Sequence, residues 1–145
     1  MQKQHSAHCG LCCENCAVRA RIHPAAIALQ EEMQKAGFDE VVHAIPGGDG
    51  FWAFLGGMVQ GGVCPSCRAG GGNPGCRVRP CAKGRGVDMC ALCENYLCAL
   101  IEAFDAGYPM LKQDNALLRD CGWQAWAALQ DARRAEGYTY QDENL

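Results

Sequence analysis

No run of about 20 apolar residues occurs in this 145-residue chain, so the sequence offers no ordinary membrane-spanning helix. Its most apolar window, residues 51–63, is short and is cut by Gly56, Gly57, Gly61 and Gly62. The opening residues, MQKQHSAHCG, lack the apolar core of a secretory signal, and a cytoplasmic protein with reduced thiols is expected. Basic charge is not in excess either: 13 Lys and Arg stand against 16 Asp and Glu, for a net charge of -3 and a pI near 5.8. That balance argues against nucleic acid as a partner. Signatures of common catalysis are missing. There is no Ser-His-Asp grouping and no readable pair of carboxylates, and the Gly70–Gly72 run lacks the lysine and preceding strand of a phosphate loop.

What the chain does have is cysteine. Twelve are present, and eleven fall into two blocks. The first runs from Cys9 to Cys16 as CGLCCENC. The second, from Cys64 to Cys98, reads C-x2-C-x8-C-x4-C-x8-C-x2-C-x4-C. Two-residue gaps let neighbouring sulfurs turn toward one centre, which is the pattern of metal ligation. A disulfide scaffold is disfavoured in a reducing compartment, and a chain of this length can bury a core without one.

The length fits one domain, residues 1–145, with residues 1–7 and 138–145 expected to fray. The expected fold is mainly α, a small single domain of four to six helices with irregular, metal-tied cysteine loops and little sheet. The first block cannot be one regular helix. Cys9 and Cys16 would then stand about 10.5 Å apart along the axis, whereas sulfurs bound to one zinc at about 2.3 Å lie within about 4 Å of each other. A turn opened by Gly10 and entering a helix near Cys13 is expected instead.

Pro24 suits a helix's first turn but would break a helix interior, so one short helix is expected to end near Ile22 and another to run over residues 24–36, with Ala25, Leu29, Met33 and Ala36 inward and Gly37 as its stop. Residues 41–45 read as a brief strand or helix end before a Pro46–Gly50 loop. Phe51, Phe54, Leu55 and Met58 have helical spacing and read as core, with Gly61-Gly62 closing the helix. Leu97, Leu100, Ile101 and Phe104 mark a further helix, and two more are expected at 110–120 and 123–136, parted at Gly122. From Arg68 to Val87 there are five basic residues and no acid, which reads as charge offset for clustered thiolates.

The order CGL-x-C-x2-C, CPSC, CRVRPC and KGRGVDMCALCENYLC resembles the small cysteine-rich prokaryotic family catalogued as domain of unknown function 3795, over roughly residues 8–135. The resemblance implies a metal-binding protein and carries no assigned activity. Position by position, it carries the metal ligands onto Cys9, Cys13 and Cys16, onto Cys64, Cys67, Cys76 and Cys81, and onto Cys90, Cys93 and Cys98. Cys12 and Cys121 fall outside the pattern and read as small buried hydrophobes.

Zinc is the expected metal, because paired C-x2-C turns are its usual structural signature. A [4Fe-4S] cluster is the alternative, although the run C-x2-C-x2-C-x3-C-P is absent. The four histidines, His5, His8, His23 and His43, read as surface or loop residues. Sequence proximity suggests one local site from Cys64, Cys67, Cys76 and Cys81, with the two triplets sharing another. Three functions remain open: a zinc-stabilised binding or adaptor module for a protein partner, an iron–sulfur redox protein, and a thiol or metal-handling enzyme with an open site.

Overall fold

The computed structural model describes residues 2–144. It is mainly helical, with six α-helices: α1 His23–Lys35, α2 Phe38–Val41, α3 Gly48–Gly61, α4 Val78–Gly84, α5 Ala99–Asp105 and α6 Leu111–Ala135. Among the described residues there is no sheet, only an isolated antiparallel bridge between Ser6 and Cys12. Most cysteines lie in the irregular segments and short turns between helices. The described residues fall into two compact units, residues 17–65 and residues 2–16 with 66–144.

In the smaller unit, α1 carries Pro24 in its first turn, and its C-terminus is closed by Gly37 at φ 71°, whose N–H reaches Gln34 O at 3.0 Å. Helical structure does not stop at Ile22 as the proline suggested. A π-helical turn, Val18–Ile22, leads directly into α1, because a proline at the start of an α-helix removes only an N–H that has no partner there. The 41–45 stretch is not a strand but α2 followed by a 3-10 turn at Val42–Ala44. Gly48 then opens α3 while packed so closely that a Cβ there would sit 1.9 Å from Val42 O. α1 and α3 pack on each other.

The buried apolar residues of this unit are Ala26, Val42 and Leu55. Leu29 is 47% exposed and Phe54 67% exposed, which corrects the expected core faces of both helices. Each helix of so small a unit has only a narrow contacting stripe, and helical spacing alone does not say which stripe that is.

The larger unit is organised on α6, which is broken at Gly122 (φ 80°, ψ -178°), at the position where two helices were expected to part. Trp126, Leu118, Met110, Met89, Ala91, Cys12 and Tyr140 form one buried apolar cluster. Beside it, a polar chain crosses the interior. Asn15 Nδ2 donates to Gln130 Oε1 at 2.9 Å, Gln130 Nε2 to Asp114 Oδ2 at 2.8 Å, and Arg133 Nη1 to the same carboxylate oxygen at 2.6 Å.

Some residues near both termini pack into this unit. Ser6 is buried, with its hydroxyl donating to Lys3 O at 2.6 Å, and Thr139 and Tyr140 are buried as well. Composition marks these tails as polar but cannot see that Tyr140 Oη accepts the Cys12 N–H at 2.7 Å. Met1 and Leu145, also read as frayed, lie outside the described residues.

Candidate metal centre

Two C-x2-C segments adopt the same local form. Cys13–Asn15 and Cys90–Leu92 are 3-10 turns, closed by Cys16 N–H to Cys13 O at 3.2 Å and by Cys93 N–H to Cys90 O at 3.0 Å. A turn with three residues per revolution sets the paired cysteines on one side of the backbone, as the two-residue gap implied. The first is preceded by a reversal at Gly10, where φ is 109° and a Cβ would fall 1.9 Å from Asn115 Oδ1. Asn115 in turn donates its Nδ2 to Cys9 O at 3.0 Å, holding the block against α6.

The two blocks meet. The Cys90 N–H donates to His8 O at 2.7 Å, and the buried His8 ring approaches Asp88 O through Nδ1 at 3.0 Å. His8 is therefore not a surface histidine, because the block pairing covers it. Cys9, Val78, Ile101, Leu111 and Ala7 form a second buried cluster, with Cys13, Cys67, Cys76, Cys90 and Cys98 packed around it. Burial pushes the Cys9 thiol well above its ordinary range, and the neighbouring sulfurs of Cys67, Cys90 and Cys76 add to the effect. Burial also pushes Cys90 up to about 12, with Cys98, Cys81, Cys93 and Cys76 contributing. Crowded thiols in a poorly solvated setting resist becoming thiolates unless a cation joins them.

Cys81, Cys90, Cys93 and Cys98 line one cavity of about 210 Å³, together with Arg85, Asn95 and Tyr96 and the apolar side chains of Val87, Leu100 and Ile101. This differs from the grouping that sequence proximity suggested, since Cys81 stands with the last triplet. Cys64 lies in the smaller unit, where its carbonyl accepts Arg19 Nη1 at 2.7 Å, whereas Cys67 lies in the larger one. Ser66, between them in the chain, is buried at φ 96°, so the CPSC turn has a backbone unlike that of the two 3-10 turns.

No disulfide joins any of the twelve cysteines. Among the described residues, no three His, Cys, Asp or Glu side chains converge closely enough to hold a metal ion. The donor chemistry nevertheless fits a thiophilic metal: four sulfurs line the cavity with no carboxylate or histidine beside them, and its one charged lining side chain is a cation. Cys12 is 1% exposed in the first apolar cluster, as its place outside the pattern suggested. Cys121 is exposed instead of buried, because it sits beside the Gly122 break on an outward part of α6.

Several residues that hold the site carry no motif. Arg119 Nη1 donates to Ala91 O at 2.6 Å and to Cys93 O at 3.4 Å, with its guanidinium 5.3 Å from the Tyr96 ring centre. Arg79 binds the carbonyls of Gly71, Cys67 (3.4 Å) and Asn73 (3.2 Å), tying down the glycine-rich loop. Arg68 reaches Asp88 Oδ1 at 2.6 Å and Ser6 O at 2.9 Å. The basic stretch thus contains two side chains that hold backbone in place, beyond any offset of thiolate charge.

No described helix is long and apolar enough to cross a membrane. No curated protein and no solved structure matches the chain. The model of the family DUF3795, "Protein of unknown function", matches residues 5–103, and the chain belongs to that family.

Proposed function

We propose that this DUF3795 member is a metal–thiolate protein in which zinc ties the loops of the larger unit into a binding or adaptor module for a protein partner. One observation carries this reading: six cysteines from separate stretches, Cys9, Cys13, Cys67, Cys76, Cys90 and Cys98, gather around a single small apolar cluster with no disulfide among them. A structural ion would supply the folding free energy that the irregular segments between the helices do not obtain from apolar burial. The paired C-x2-C turns support zinc. The exposed Phe51 and Phe54 on α3 support a protein partner, since aromatic side chains are enriched where proteins meet.

A second reading, an iron–sulfur redox protein, is favoured by the size of the four-cysteine cavity. Its volume of about 210 Å³ exceeds what one ion needs and leaves room for a cluster. Elemental and sulfide analysis of protein purified without oxygen tests both. Zinc without sulfide supports the first reading, iron with sulfide the second, and a metal-free protein that takes up neither on reconstitution rules out both.

A further inference from the structure

We propose that Cys81, Cys90, Cys93 and Cys98 form one four-thiolate metal centre around the cavity they line, and that Cys67 and Cys76 belong to a different set. This rests on the metal–thiolate reading above and goes further by assigning the ligands. Three of the four come from one stretch. The 3-10 turn presents Cys90 and Cys93, Tyr96 N–H closes on Cys93 O at 3.2 Å, and Cys98 O accepts the N–H groups of Ile101 and Glu102 at 2.9 and 3.0 Å.

The fourth ligand comes from α4. After that helix the chain reverses through Gly86 N–H to Lys83 O at 3.1 Å and Val87 N–H to Ala82 O at 2.9 Å, so Ala82 and Val87 line the same cavity as Cys81. Cys67 and Cys76 do not line it; both pack against the cluster that holds Cys9, and Cys76 stands near Cys90 as well.

The lining also selects the metal class. Besides the four thiols it offers only the Asn95 amide and the Tyr96 hydroxyl, with no carboxylate and no histidine, a set that favours zinc or an iron–sulfur cluster over magnesium, calcium and manganese. Four thiolates on one divalent ion leave a charge of about -2, and Arg85 is the only charged residue in the lining. Zinc would require the four sulfurs to draw in to about 4 Å of one another. A cluster would fill the middle and require less closure.

Thiol footprinting of the metal-loaded full chain tests the assignment. Protein loaded with zinc, and separately with iron and sulfide, is alkylated with N-ethylmaleimide during stepwise chelation and mapped by mass spectrometry. Cys81, Cys90, Cys93 and Cys98 should be protected together and become reactive in one step, with Cys67 and Cys76 reacting in another. Cys81→Ser should abolish protection at Cys90, Cys93 and Cys98 while leaving Cys67 and Cys76 protected. Reactivity of Cys81 in step with Cys67 and Cys76, or exposure of all thiols in a single step, overturns the assignment while leaving metal binding itself intact. No protection under either loading overturns the metal–thiolate reading as well.

Discussion

The backbone N–H of Cys90 donates to the carbonyl oxygen of His8 at 2.7 Å, which sets Cys90 beside Cys9 although the two stand near opposite ends of the family match. That one bond joins the cysteine blocks before any metal is considered. Deleting residues 2–16 should therefore disturb the cavity that Cys90 lines, even though no residue of that segment lines it. Native mass spectrometry of the truncated chain should show lower metal occupancy than the full chain. Equal occupancy would mean that the C-terminal block holds its metal alone.

Chelation should loosen the cysteine-rich loops first. The segment from Arg68 to Gly75 contains no α-helix, and Arg79 is its principal clamp. Limited proteolysis with and without chelator should show new cleavage between Cys67 and Cys98, while α6, which carries buried Leu111, Leu118 and Trp126, persists longer. Unchanged resistance between Cys67 and Cys98 would show that metal contributes nothing to their order.

Arg119→Ala should weaken the site without removing a ligand. It deletes charge-assisted bonds to Ala91 O and Cys93 O and the contact with Tyr96, with an expected stability cost of about 1.5–3 kcal/mol. Metal release to a competing chelator should become faster, and Arg119→Lys should restore only part of the loss because one ammonium cannot reproduce the fork. Release at the wild-type rate would confine Arg119 to a role in fold stability.

Gly10→Ala should destabilise the chain by about 1–3 kcal/mol through its left-handed backbone alone, with further cost from the approach to Asn115 Oδ1. In an Asn115→Ala background that second part disappears, so urea denaturation should give a smaller penalty for the same change. Equal penalties in both backgrounds would show that the side-chain approach is relieved without cost.

Tyr140→Phe should cost about 1 kcal/mol, because the buried Cys12 N–H loses its acceptor while the ring still packs. A neutral result in chemical denaturation would mean that the C-terminal turn is held by packing alone.

Much of the site's chemistry was legible in the chain. Cysteine spacing points to the turns at Cys13–Cys16 and Cys90–Cys93, although the same gap at Cys64–Cys67 takes another backbone, and Gly10 marks the reversal because few residues tolerate its φ. Gly122 marks the break in α6 for the same reason. Helix faces were less legible. Phe51 and Phe54 have the spacing of a buried stripe yet lie exposed, since periodicity reports that a helix has an apolar side and not that a neighbour covers it.

By itself the sequence determined the helical class, the family and the supply of thiols, because these depend on local backbone preference and residue identity. Which thiols share a cavity was decided only by tertiary structure. Cys81 lies five positions after Cys76, yet it shares its cavity with Cys90, Cys93 and Cys98. The chain reversal after α4 and the meeting of Cys90 with His8 depend on hydrogen bonds and packing between distant segments, and no spacing rule along the chain encodes them.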